Sequence, residues 1–302
     1  MSVLTIDIGN TRGKFAVISR EGILLSSGYL EFLESGWGEV KKICEQNLKS
    51  SDPIHSIVYS SVKKDTSYWS FGELQNYNPV EIKSLMFKLP FQIEIEQPET
   101  LGSDRLAGVL GCMFLLDQSN LGNLIDPESR LNDFGESNSE SDLRITQFEN
   151  LIQRLRQLKS SRNFMMIDAG TCITYDYVSC GEDISMPVYF GGAISPGLRL
   201  RFKSMSDYTD ALPMLELSNS MMERSDFGDI GKHTEGAMNS GVIMGVMDEI
   251  SGRIDRFNKK FVDSQVFLTG GDAEFLGKRL KSGIFVEPML LHYGLFYADQ
   301  FK

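Results

Sequence analysis

Val3-Leu4-Thr5-Ile6-Asp7-Ile8-Gly9-Asn10-Thr11-Arg12-Gly13-Lys14-Phe15-Ala16-Val17-Ile18 sets two apolar, β-prone runs on either side of a short polar segment. That pattern predicts strand, tight turn, strand. A buried first strand delivers Asp7 at its end. Gly9 lets another group approach the backbone closely. Asn10 and Thr11 offer side-chain donors, and Lys14 adds a mobile positive charge. Small residues, donors and a lysine at a strand tip suit an anionic ligand such as a nucleotide phosphate. An aspartate beside them suits a hydrated Mg²⁺. An ordinary hairpin with a polar turn accounts for the stretch equally well.

The plan recurs in the other half of the chain, in Phe164-Met165-Met166-Ile167-Asp168-Ala169-Gly170-Thr171-Cys172-Ile173-Thr174-Tyr175-Asp176-Tyr177-Val178. In both copies an apolar run ends in Asp-x-Gly followed by Asn or Thr, and a second β-prone run follows. The echo suggests an internal duplication whose two strand tips face each other across a cleft. Chance similarity of two short hairpins is the alternative.

Around these hairpins lie 302 residues, enough for two domains with a sizeable core in each. The net charge of −11 argues against a broad nucleic-acid-binding face. An anionic substrate must then be drawn in by local groups and not by the overall field. No apolar run approaches the roughly 20 residues of a membrane helix, and the N-terminal residues carry no leader pattern. No nucleic-acid or membrane partner is expected. Cys44, Cys112, Cys172 and Cys180 form no CxxC pair, which speaks against a disulfide framework or a zinc site. The expected location is the cytoplasm. His55, His233 and His292 lie in no metal-ligand pattern and read as structural.

Further along, residues 23–30 predict a third strand that completes a meander, and 38–48 a helix. Residues 55–62 read as a buried strand ending in small Ser60 and Ser61. A short helix at 69–76 and strands at 80–83 and 91–96 follow. Gly102-Ser103-Asp104-Arg105 opens a helix whose small residues predict close packing against another helix. Ser103 is placed to cap that helix. Asp104 falls in its first turn, where it reads either as a capping acid or as a functional carboxylate. Residues 132–142 are polar, acidic and poor in core formers, and read as an exposed linker-like insertion. Residues 148–158 regain helical spacing. In the second half, strand-to-glycine tips recur at Gly191-Gly192 and Gly270-Gly271, with helices after residue 198, from 234, over 274–280 and over 288–297.

Asp7-x-Gly9-Asn10-Thr11-x-x-Lys14, Gly102-x-Asp104-Arg105, Asp168-x-Gly170-Thr171, Gly191-Gly192-x-Ile194-x-Pro196-Gly197, Gly231-x-x-Thr234 and Thr269-Gly270-Gly271-Asp272-Ala273 stand in this order along the chain. The glycine-bearing tips resemble the actin-like, sugar kinase and Hsp70 superfamily. The ordered set resembles type III pantothenate kinase over nearly the whole chain outside residues 117–149.

The resemblance implies an α/β fold of two ribonuclease H-like, actin-like ATPase domains with a central cleft for ATP and substrate. Domains are expected over 1–117 and 163–302, with the insertion and a connecting helix over 118–162. The implied activity is ATP-dependent phosphorylation of the primary hydroxyl of pantothenate to 4'-phosphopantothenate, the first step of coenzyme A biosynthesis. Asp7, Ile8, Gly9, Asn10, Thr11, Arg12, Gly13 and Lys14 match the ATP phosphate-binding element, and Thr171 an ATP contact. Asp104 matches the general base. Gly102, Ser103, Asp104 and Arg105 match the pantothenate-contacting motif, joined by Thr234 across a homodimer interface. Asp168 matches the ligand of a monovalent cation, K⁺ or NH₄⁺, and Asp7 is placed to orient Mg²⁺ through water. Two departures stand out. Ile95 occupies the place of a tyrosine that lines the family's pocket, and the acidic insertion is long. Two other readings remain: a regulatory protein of the Bvg accessory factor type, and a superfamily kinase acting on another hydroxyl substrate. Intact Lys14, Asp104 and Asp168 favour catalysis over the first of these.

Overall fold

Uninterrupted apolar strands need cover on both faces, and the first strand shows how the chain supplies it. In the computed structural model, β1 (Ser2–Ile8) is buried along its whole length. The structure describes residues 1–10, 12–30, 36–47, 53–63, 72–122, 163–179, 186–217, 221, 227–280 and 283–302. Thr11, Cys180, the acidic insertion and the expected helix over 148–158 lie outside these. The chain divides into two units, Met1–Ser160 with Met289–Lys302, and Ser161–Pro288.

In the first unit β1, β2 (Gly13–Ser19) and β3 (Leu24–Leu30) form the expected antiparallel meander. After α1 (Gly36–Asn47), β4 (Ile54–Ser61) and the short β5 (Val80–Glu81) add in parallel, giving the order β3-β2-β1-β4-β5. Leu4, Ile6 and Ile8 point into a core shared with Val40 and Cys44 of α1. Side chains alternate across a strand, so Val3, Thr5 and Asp7 look to the other face. That face is covered by α2 (Ser103–Gly122) and the helix Leu290–Ala298.

The second unit repeats the plan. β7 (Asn163–Ala169), β8 (Cys172–Ser179) and β9 (Val188–Pro196) form an antiparallel meander. β10 (Ser264–Thr269) and β11 (Ile284–Val286) pair in parallel beyond β7. α3 (Leu198–Asp207), α4 (Thr234–Lys260) and α5 (Ala273–Gly277) complete the described elements of this unit. β3-β2-β1-β4-β5 of the first unit and β9-β8-β7-β10-β11 of the second have matching order and polarity, which is the topological form of the duplication read from the two hairpins.

Several local expectations change. The helix expected at 69–76 is a 3-10 turn over Gly72–Tyr77 in its described part. The strand expected at 80–83 stops at Glu81. Ile82–Lys88 forms a 3-10 segment burying Ile82, Leu85 and Met86, a helical spacing that the strand reading cut short. The alternating run at 91–96 forms strand only over the two residues of β6 (Gln92–Ile93), with bends at 91 and 95–96. β11 had no counterpart in the sequence reading.

The larger change concerns the C-terminus. The second domain was expected to run from 163 to 302, whereas residues 289–302 return to the first unit. The helix Leu290–Ala298, named α6, is buried almost all round, and such a helix must be enclosed by its neighbours. α2 receives it backbone to backbone. A Cβ on Gly111 would overlap the Leu290 carbonyl oxygen, and one on Gly294 would overlap that of Ala107. Phe114 packs against Tyr293 and Phe296, with ring centroids 5.6 and 5.5 Å apart.

Candidate active site

Asp7 is the last residue but one of β1, its side chain on the α2 and α6 face, opposite Lys14 of β2 and Ser60 of β4. It is only 8% exposed, and Ser60 Oγ donates to its Oδ1 at 2.7 Å. Burial raises the Asp7 pKa. The Ser60 hydrogen bond and the Lys14 charge work against that rise, while the Asp104 charge adds to it. Asp7, Lys14 and Asp104 therefore share one electrostatic environment within the first unit.

The turn between β1 and β2 is closed by Gly9 N–H donating to the Arg12 carbonyl at 3.1 Å. Ile8 O accepts from Val62 N–H at 3.1 Å, which keeps the tips of β1 and β4 together. The Arg12 guanidinium lies 5.5 Å from the centre of the Tyr29 ring. Asn10 is exposed, Gly13 is buried at the start of β2, and Lys14 is half-buried. Thr11 cannot be placed, since it lies outside the described residues.

Ser103 does something other than cap its own helix. Its Oγ accepts from Ser61 N–H at 2.9 Å and donates to Ser61 O at 2.7 Å. That double bond to one backbone unit pins the start of α2 to the tip of β4. Asp104 follows at once, its Oδ1 accepting from Arg105 N–H at 2.9 Å. So the carboxylate does touch the helix N-terminus, as its capping reading required. A Cβ on Gly102 would run into Asp104 Oδ1, and the glycine therefore makes room for the carboxylate. Burial raises the Asp104 pKa against the opposing Arg105 N–H bond and Arg105 charge. A base works in its ionised form, so turnover that relies on Asp104 is expected to fall as pH drops through this raised value. The acidic limb of kcat/KM should lie above the roughly 3.9 of an exposed aspartate; a limb at or below that value would remove Asp104 from the profile.

The second unit gathers the other tips. Gly170 N–H donates to Cys172 O at 2.9 Å, Gly197 N–H to Thr171 O at 3.0 Å, and Asp272 N–H to Ala169 O at 2.9 Å. Gly270 has φ +99°, a left-handed conformation that suits glycine. A Cβ there would overlap Asp168 Oδ1 and the Ala169 carbonyl oxygen. Asp168, Thr171, Gly197 and Gly270 are thus neighbours. Thr171 is exposed in the β7–β8 turn. Asp272, nearly fully buried, accepts from Arg199 Nη1 at 2.7 Å. Thr234 opens α4 and is exposed, after His233, whose Nδ1 accepts from Gly236 N–H at 3.2 Å. Gly231 packs on that first turn, where a Cβ would overlap Ala237 N.

Sequence motifs gave no signal for Ser60 as the partner of Asp7, nor for Glu249. The Glu249 carboxylate accepts from Tyr175 OH at 2.9 Å, from Ser195 Oγ at 2.7 Å and from the Arg201 guanidinium. Burial would raise its pKa, but those hydrogen bonds outweigh it and bring the value down.

The family model for type III pantothenate kinase matches residues 3–121 and 149–256 of this chain. A type III pantothenate kinase of Flavobacterium johnsoniae is 33% identical over 300 residues, covering 99% of this chain and 98% of the relative. The type III pantothenate kinase of Flavobacterium psychrophilum is 32% identical over 289 residues, covering 96% and 95%. Among solved structures, a conserved protein of Campylobacter jejuni assigned to the Baf family of transcriptional activators superposes with a TM-score of 0.50. At 18% identity, with 98% and 97% of the two chains covered, that is a likeness of fold.

Proposed function

The chain belongs to the type III pantothenate kinase family, and on that premise we propose how its residues divide the transfer of the γ-phosphoryl group of ATP to the primary hydroxyl of pantothenate, the first step of coenzyme A biosynthesis. The observation that carries the assignment is the meeting of Asp7, Lys14 and Asp104 at the tips of β1 and β2 and the start of α2. Phosphoryl transfer asks a protein mainly for positioning and charge stabilisation. Lys14 and the backbone of residues 8–13 hold phosphate oxygens of ATP, with Thr171 as a further ATP contact. Asp104 accepts the hydroxyl proton as the oxygen attacks the γ-phosphorus and ADP leaves. Gly102, Ser103 and Arg105 position pantothenate beside it, together with Thr234 contributed across a homodimer. Ser103 acts there through its backbone, since its hydroxyl is engaged with Ser61.

Two ions complete the reading. Asp7 suits Mg²⁺, because Ser60 engages Oδ1 and leaves Oδ2 as a hard oxygen donor. Mg²⁺ supplies neutralisation of phosphate charge when bound. Asp168 suits a monovalent cation, because the glycines at 170 and 270 leave space around its carboxylate. Activity is accordingly expected in K⁺ or NH₄⁺ and to fail in Na⁺ alone; equal initial rates in K⁺ and Na⁺ buffers would remove the cation from Asp168. The proposed location is the cytoplasm.

The test is ATP consumption by purified protein with pantothenate, set against a panel of sugars and carboxylate-bearing alcohols. ADP release coupled to 4'-phosphopantothenate, identified by mass, is the expected result. Turnover with another alcohol and none with pantothenate would overturn the substrate.

A further inference from the structure

His292 lies in α6, 2% exposed, against the sheet face that carries Asp7 and Lys14. Its Nδ1 is 2.8 Å from Thr5 Oγ1. The Thr5 hydroxyl has a single proton, and it goes to the Ala16 carbonyl oxygen at 3.1 Å. With the Thr5 proton on the Ala16 carbonyl oxygen, the imidazole is assigned as the donor to Thr5 through Nδ1–H. In a neutral ring this leaves Nε2 as a bare acceptor, and it is buried with no hydrogen-bond partner among the described residues. Burial, helped by the Lys14 charge, pushes the His292 pKa down to about 3, which keeps the ring neutral.

A buried acceptor without a donor is costly and uncommon. Strand register narrows the choice of donor. Thr5 pairs with Ala16 and Asp7 with Lys14, so Lys14 is the diagonal neighbour of Thr5 on the same face. Diagonal neighbours are about 7–8 Å apart, within reach of a long side chain. Nearby hydroxyl protons among the described residues are already committed: Ser60 to Asp7, Ser103 to Ser61 O, Thr5 to Ala16 O. The Lys14 ammonium carries three donors.

We infer that His292 is a positioning residue for Lys14, its bare Nε2 accepting from one ordered water that the Lys14 ammonium in turn hydrogen-bonds, and so aiming the lysine at the phosphate side of the β1–β2 turn. The inference rests on the reading of Lys14 as a phosphate contact. Its geometry differs from a simple tie between α6 and β1, which needs only Nδ1.

That difference sets the experiment. His292→Asn keeps a donor within reach of Thr5 but removes the acceptor at the Nε2 position; His292→Gln restores polar reach to that position. In the Asn variant KM for ATP is expected to rise about tenfold, as for one lost charge-assisted hydrogen bond. KM for pantothenate and melting temperature should stay near wild type, and the Gln variant should recover part of the loss. An unchanged KM for ATP in a folded Asn variant overturns the inference. Should that variant not fold, ¹⁵N-histidine NMR of the full-length wild type decides. It should report the Nδ1–H tautomer, and an Nε2 resonance that moves in Lys14→Met. An Nε2 signal indifferent to Lys14→Met overturns the link. Nucleotide affinity of Lys14→Met, measured by calorimetry, tests the phosphate reading separately: unchanged affinity fails that reading and leaves the NMR result to stand or fall alone.

Discussion

Asp104→Asn is expected to lower kcat by about 10²–10⁴-fold, the usual contribution of a positioned general base. ATP affinity should be preserved, because the phosphate-binding hairpin is held by β-pairing and by Ser60, none of which involves Asp104. Stability gives the contrast. The Asp104 pKa is raised in the folded state, first by burial. A raised carboxylate favours folding when protonated, and that contribution is lost as pH rises through the folded value. At neutral pH the ionised side chain therefore opposes folding, and a neutral isostere relieves the cost. The variant should melt at or above the wild-type temperature at pH 7 while losing turnover. A capping acid predicts the reverse: a lower melting temperature with near wild-type kcat. Thermal melting and single-turnover ADP release on the same preparation separate the two.

Gly294→Ala is expected to lower the melting temperature by roughly 5–10 °C, taking overpacking at the upper part of its usual 1–3 kcal/mol and about 2–4 °C per kcal/mol. The added methyl meets the Ala107 carbonyl oxygen and, at 2.7 Å, the Gly111 nitrogen. Both are helix backbone of α2, so no side chain can swing away and the helices themselves must part. Better helix propensity of alanine offsets only about 1 kcal/mol. Since α2 begins at Ser103, parting it from α6 also disturbs the placement of Asp104, and kcat should fall with stability. Gly241→Ala is the control. It makes the same chemical change within α4, where nothing lies within 4 Å of the new methyl. That variant should melt at or slightly above wild type. If Gly294→Ala does the same, the backbone contact between α2 and α6 is refuted.

Local pattern carried much of the architecture. The polar break between two apolar runs located β1 and β2, and its echo located β7 and β8, because strand and turn preferences act over a few residues. The small residues of α2 announced a close helix contact, and the glycine tips announced the places where backbones approach. The same local pattern put Asp7 and Lys14 at a strand tip and Asp104 in the first turn of a helix, whereas the base role of Asp104 was offered only by the family resemblance. What covers each face was not legible. Thr5 and His292 are 287 residues apart, Asp7 and Ser60 are 53 apart, and Ser61 and Ser103 are 42 apart. Periodicity states that a strand or helix has a face to bury; it does not name the element that buries it. Only the folded chain decided that the last helix returns to the first sheet, that Ser103 binds a strand tip instead of capping its own helix, and that His292 is buried against Thr5 of β1. Those outcomes depend on which distant surfaces fit at close-packed density, and that fit is a property of the whole fold.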